Sequence, residues 1–107
     1  MAMAIIPAAK IALAQAGLSM ADIDVIKTHN PFAVNDIYFC REMDISWEDM
    51  NNYGSSLIYG HPQGPTGARL MMELIEELVL KGGGYGLLDG CAAGDTAAAV
   101  ILHVQVD

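Results

Sequence analysis

Residues 85–104 read Tyr85-Gly-Leu-Leu-Asp-Gly-Cys-Ala-Ala-Gly-Asp-Thr-Ala-Ala-Ala-Val-Ile-Leu-His-Val104. Two apolar runs, Tyr85–Leu88 and Ala97–Val104, flank a turn of small and polar residues, Asp89–Thr96. Short apolar runs bounded by Gly and Asp are strand signals. Strands joined by so tight a loop must run antiparallel, because a parallel pair needs a crossover of roughly a dozen residues or more. A helical period precedes them. Leu70, Met71, Leu74, Ile75, Leu78 and Val79 form one apolar face, with Glu73, Glu76 and Glu77 expected outside. Lys81 complements the dipole at that helix's C-terminus, and Gly82-Gly83-Gly84 stops it.

Further upstream the elements continue to alternate. Pro7 suits a first helical turn and Gly17 a helix end, with a polar turn at Ser19–Asp22. Ile23–Ile26 reads as a short strand that runs on to His29, because Pro31 keeps Asn30 out of the helical region. A helix resumes from Phe32 to about Met43, with Phe32, Ile37 and Cys40 expected inward, followed by a short turn at Trp47–Met50. The order helix, strand, helix, long loop, helix, strand, strand defines an α/β fold: a layered domain with a mixed sheet.

The chain of 107 residues fits one domain, 1–107. Its residues are 53% hydrophobic and only 17% charged, which for so small a body points to apolar surface covered by another domain or chain. Abundant Ala and Gly are the alternative source of that balance. Five basic residues against thirteen acidic ones give a net charge of −8 with no basic stripe, so nucleic acid is not an expected partner. Two cysteines without a CxxC pair support neither a disulfide framework nor a zinc site. No apolar run is long enough for a membrane span, and the start lacks the pattern of a signal peptide, so the expected location is cytoplasmic.

The stretch from Asn51 to Gly67 carries four glycines and two prolines around His61, the composition of a shaped loop leading into a helix N-terminus. His29, His61 and Cys91 each combine a reactive group with the end of a strand or a glycine-rich loop. Brought together, a Cys and His pair serves nucleophilic catalysis or proton transfer, and spacing alone does not say which. The competing readings are ordinary: His29 as a helix cap, Cys91 as a small buried apolar group. Cys40 and His103 are assigned structural places, one in the core and one on a strand.

Asn52-Tyr-Gly54-Ser-Ser-Leu-Ile-Tyr-Gly60-His61-Pro62-Gln-Gly64-Pro-Thr-Gly67-Ala-Arg69 resembles the thiolase signature N-x-G-G-x-x-x-x-G-H-P-x-G-x-x-G-x-R, with Ser55 at the second glycine. Gly86 to Gly94 falls where thiolases carry their second cysteine. Thr28-His29-Asn30-Pro31-Phe32 falls where they have N-E-A-F, or H-D-x-F in the sterol-carrier-protein-like branch, to which this chain is nearer. The resemblance implies the C-terminal half of an acyl-CoA acyltransferase. In that half His61 activates a nucleophilic thiol and lines an oxyanion hole, and Cys91 is the acid/base. His29 orients a water in the first oxyanion hole, and the Ala93 N–H contributes to the second. It also implies no bound cofactor or metal, a coenzyme A thioester as substrate, an N-terminal thiolase domain in cis or trans, and a homo-oligomer.

The departures are specific. The family's acylated cysteine has no counterpart here, and the domain's first strand is expected to be missing, so the chain is expected to be a fragment or split subunit. Asn30 replaces an acid, and Ala93-Gly94-Asp95 replaces a glycine triplet. Two alternatives stay open: an acyl-CoA aldolase-type relative using Tyr53 or Tyr59, with a small zinc-ribbon or OB-type partner chain, and a non-catalytic interaction domain.

Overall fold

A computed structural model describes residues 3–62, 64–91 and 96–107. Three strands form a mixed sheet in the order β1-β2-β3, with β1 Val25–His29, β2 Gly83–Cys91 and β3 Ala97–Gln105. β1 runs parallel to β2, pairing Val25 with Gly86 through to His29 with Gly90, and β3 returns antiparallel. Among the described residues four α-helices pack around the sheet: α1 Ile5–Ala16, α2 Ala33–Met43, the single turn α3 Ser56–Tyr59, and α4 Thr66–Leu80. The expected α/β layering is present.

Strand periodicity builds the two cores, because successive side chains alternate between faces. Ile26, Leu87 and Ile101 face α1 and α2, meeting Ile5, Ile6, Ala9 and Phe39. Val25, Leu88 and Val100 face α4, meeting Leu70, Leu74 and Leu78. Each fully buried leucine in that second cluster contributes roughly 1.5–3 kcal/mol. Gly17 ends α1 as expected, in the left-handed conformation at φ 70° that glycine adopts without a Cβ penalty.

Three expectations need correction. β2 does not stop at Leu88 but continues through Asp89, Gly90 and Cys91, because parallel pairing with β1 and antiparallel pairing with β3 hold these residues on both sides. In α2 the inward residues are Asn35 and Phe39, while Phe32 and Ile37 are exposed. Asp36 explains the rotation: it accepts hydrogen bonds from Thr28 and Asn30, which fixes that side of the helix against β1. In α4, Glu77 is buried rather than external and accepts from Asn52 at 2.7 Å. Ile75 and Val79 are turned partly outward.

The long loop is tied to the sheet by polar groups. Asn51 donates its backbone N–H to the Ile26 carbonyl and accepts from the Thr28 N–H, both at 2.9 Å, which satisfies the outer edge of β1. Lys27, fully buried, reaches through the α4 side to Glu73 Oε2 at 2.9 Å and donates to the Gly54 carbonyl at 3.0 Å. One ammonium thus clamps strand, loop and helix together.

Removing one partner of a buried ion pair strands the other charge, at a cost of about 3 kcal/mol or more. Glu73→Gln leaves the buried ammonium facing neutral acceptors, whereas Lys27→Met leaves a partly exposed carboxylate that still faces Arg69 Nε at 3.6 Å. Urea denaturation is expected to show the larger loss for Glu73→Gln. An equal or smaller loss contradicts the clamp.

Candidate active site

The site lies where β1 and β2 end side by side. His29 closes β1 opposite Gly90, and a Cβ placed on Gly90 would stand 2.7 Å from the His29 Cβ. Only glycine at 90 lets the imidazole occupy that place without a shift of the strands. Cys91 follows as the last residue of β2, a free and half-buried thiol paired in register with Ala97.

The loop brings the second imidazole. His61 lies between Gly60 and Pro62, just ahead of α4, and its ring centroid is 4.1 Å from that of His29 at an interplanar angle of 43°. Each ring is held through Nδ1. His29 Nδ1 is 3.0 Å from Ser56 Oγ on α3, and His61 Nδ1 is 2.9 Å from Thr66 Oγ1 at the start of α4. The Thr66 hydroxyl in turn donates to the Pro62 carbonyl at 2.7 Å. Arg69 fastens the loop from α4, donating to the Gly60 carbonyl at 3.3 Å and to Ser56 Oγ at 3.5 Å. Its guanidinium also sits 5.6 Å from the centre of the Tyr59 ring.

His29, His61 and Cys91 line one cavity of about 240 Å³, walled on its apolar side by Leu70 and Val100. Burial holds the His29 pKa below its ordinary value, and the neighbouring His61 and Arg69 lower it further. His29 is therefore a neutral imidazole near pH 7. Two imidazoles beside a thiol can move protons and donate hydrogen bonds to a developing oxyanion. Among the described residues no three His, Cys, Asp or Glu side chains are grouped to hold a metal ion.

The remaining candidates separate from this cavity. Ala93, with Gly94 and Asp95, lies outside the described residues. Cys40 donates to Met50 Sδ at 3.3 Å beside the α1–α2 core, and burial, then Asp36 and Asp49, push its thiol pKa up. His103 stacks on Tyr85 at 4.3 Å, near the other end of the β2–β3 pair. Tyr53 and Tyr59 do not line the cavity; the Tyr59 hydroxyl donates to the Tyr53 carbonyl at 2.9 Å. A wider cleft of about 700 Å³, between α2, Trp47 and Leu57-Ile58, holds neither histidine nor Cys91. Asn30 is buried, donating to Asp36 and accepting from the Leu57 N–H at 3.4 Å, so it links β1, α2 and α3.

Sequence reasoning missed Asp89. It is 1% exposed, lines the same cavity, and its carboxylate oxygens have no hydrogen-bond partner among the described residues. Burial pushes its pKa up to about 7; the nearby Gly90 N–H pulls the other way but lacks hydrogen-bond geometry. Its place on β2, alternating with Leu87 and Cys91, was the available signal. Ser56 and Thr66 were also passed over, although both sit inside the quoted run.

Comparison with known proteins identifies the family and the fold. Residues 1–104 match the family described as "Thiolase, C-terminal domain". The 3-ketoacyl-CoA thiolase of Colwellia psychrerythraea is 39% identical, and that of Erwinia tasmaniensis 37%; each alignment covers 92% of this chain and 26% of the relative. The chain thus spans about a quarter of the length of these relatives. Human mitochondrial 3-ketoacyl-CoA thiolase, solved in complex with CoA, superposes with a TM-score of 0.92 at 31% identity, over 98% of this chain and 27% of that one. The acetyl-CoA acetyltransferase of Bacillus anthracis gives 0.90 at 30% identity, over 95% and 26%. The fold and the paired His/Cys cavity define a domain of the thiolase type. The chain belongs to the thiolase family, and it corresponds to that family's C-terminal domain.

Asp89 gives this domain a pH-dependent weakness. Its pKa rises from 3.8 to about 7 on folding, so the folded state holds a proton that the unfolded state has released. Stability is fully present below pH 3.8 and falls as pH rises toward 7, by roughly 4 kcal/mol in all. Asp89→Asn is expected to raise the melting temperature at pH 8, with the gain shrinking toward pH 4. A gain that does not depend on pH contradicts the assignment.

Proposed function

We propose that this chain is the C-terminal catalytic domain of a thiolase-type acyltransferase acting on coenzyme A thioesters, and that it works with an N-terminal domain supplying the nucleophilic cysteine. The observation that carries this reading is the convergence of His29, His61 and Cys91, from three separate segments, on one cavity. A structural domain has no need of two imidazoles and a free thiol around a hollow. The names and bound CoA of the solved relatives support the substrate class.

In thiolysis of a 3-ketoacyl-CoA, His61 takes the proton of the nucleophilic cysteine, whose sulfur attacks the 3-keto carbon. The bond between carbons 2 and 3 breaks, leaving the acyl group on that sulfur and an acetyl-CoA enolate. The Cys91 thiol gives its proton to carbon 2 of the enolate. Coenzyme A then attacks the acyl-enzyme, its thiol proton going to the Cys91 thiolate, and acyl-CoA leaves as the nucleophilic cysteine recovers its proton from His61. His29 serves as a donor to the oxyanions, joined by His61 once it carries the cysteine's proton and by the Ala93 N–H, and such preorganised donors are worth about 10²–10³ in rate. The reverse direction is the Claisen condensation. On this reading the chain is a single domain, 1–107, within a homo-oligomeric enzyme. The His29-to-Phe32 segment favours the sterol-carrier-protein-like branch. The position of Tyr53 and Tyr59 away from the cavity weighs against an aldolase mechanism.

Joined to a thiolase N-terminal domain, the protein is expected to cleave acetoacetyl-CoA. His61→Ala and Cys91→Ser are each expected to lower kcat by about 10²-fold or more, since general acid–base groups contribute on that order. Near-normal turnover by either variant removes that residue from the mechanism.

A further inference from the structure

We propose that Thr66 and Ser56 are positioning residues that lock the two imidazoles in opposite tautomers, His61 offering a bare Nε2 and His29 an Nε2–H. The inference deepens the reading above, because it divides the work of base and hydrogen-bond donor between the two rings.

A threonine hydroxyl has one proton to give and two lone pairs to receive. Thr66 Oγ1, in a residue only 2% exposed, gives its proton to the Pro62 carbonyl at 2.7 Å. The 2.9 Å contact with His61 must then be an N–H donated by Nδ1 into the Thr66 oxygen. A neutral imidazole carries one ring proton, so with Nδ1 protonated the Nε2 of His61 is an acceptor. That is the state a proton-abstracting base requires. It is also the minor tautomer of a free histidine, so the site has to impose it.

Ser56 works in the opposite sense. Its Oγ receives an N–H from Arg69 at 3.5 Å, and Arg69 has only donors. The other contact of that oxygen among the described residues is His29 Nδ1 at 3.0 Å. Among the described residues the Ser56 proton, in a residue 6% exposed, therefore has one acceptor, the lone pair of His29 Nδ1. His29 then carries its proton on Nε2, and its lowered pKa keeps it from taking a second. Neither Nε2 makes a hydrogen bond to a described residue, so both remain for a ligand. Two imidazoles 4.1 Å apart thus differ in kind: one takes a proton, the other donates a hydrogen bond.

Long-range ¹H–¹⁵N correlation spectra of the ¹⁵N-labelled chain at pH 8 report the tautomer of each ring directly, and three histidines keep the spectrum assignable. The expected pattern is Nδ1–H for His61 and Nε2–H for His29. Thr66→Val is expected to invert the His61 pattern and leave His29 unchanged, while Thr66→Ser retains the wild-type pattern. Ser56→Ala is expected to erode the Nε2–H preference of His29 alone. A wild-type spectrum with His61 as Nε2–H, or with both rings alike, overturns the proposal even where no variant can be folded. The readout involves no turnover, so failure of the acyltransferase reading would leave the tautomers as predicted, and wrong tautomers would leave measured turnover standing.

Discussion

The parallel pairing of β1 with β2, in the register that sets His29 beside Gly90, is the constraint on which the site depends. It places the C-terminal ends of two strands next to each other, and ligands of α/β sheets gather at such ends. The register tolerates no side chain at 90, because a Cβ there would press on the Cβ of His29. A slip of β1 by one residue would send His29 to the opposite face of the sheet, away from the loop that carries His61. Asn51 and Lys27 hold that register from outside, one by satisfying the edge of β1 and the other by clamping the loop and α4 to it. Through them the loop that carries His61 is fixed relative to β1.

Electrostatics and packing act in the same direction around the cavity. Burial, a second imidazole and a guanidinium all favour a neutral His29. Burial also favours a protonated Asp89 two residues before Cys91. The inner walls therefore lose fixed negative charge as pH falls below about 7, although the chain carries a net charge of −8. A site of neutral donors and acceptors suits a reaction in which charge appears on a carbonyl oxygen only at the transition state.

Much of this was legible in the sequence, and the failures share a cause. Local signals placed α1, β1 and the boundaries of α4, because Pro, Gly and apolar periodicity act over a few residues. The family motif drew attention to His29, His61 and Cys91, and all three meet in one cavity. What could not be seen was non-local. Glu77 reads as an outer helix residue until Asn52 arrives from the loop to bond it. Asp36 rotates α2 away from its apolar pattern because Thr28 and Asn30 wait on β1. Asp89 reads as a turn residue until pairing on both sides makes it a strand. In each case a tertiary polar contact or ladder overrode a local preference.

The central claim is that this chain carries the proton-transfer half of thioester chemistry, with Cys91 as the group that moves the α-proton. Deuterium uptake at carbon 2 of acetyl-CoA tests it most directly. The chain, joined to a thiolase N-terminal domain whose nucleophilic cysteine is replaced by alanine, would be incubated with acetyl-CoA in D₂O and the product read by mass spectrometry. The account predicts enzyme-dependent exchange that survives loss of that nucleophile and disappears with Cys91→Ser. Exchange at an unchanged rate in the Cys91→Ser protein would contradict it.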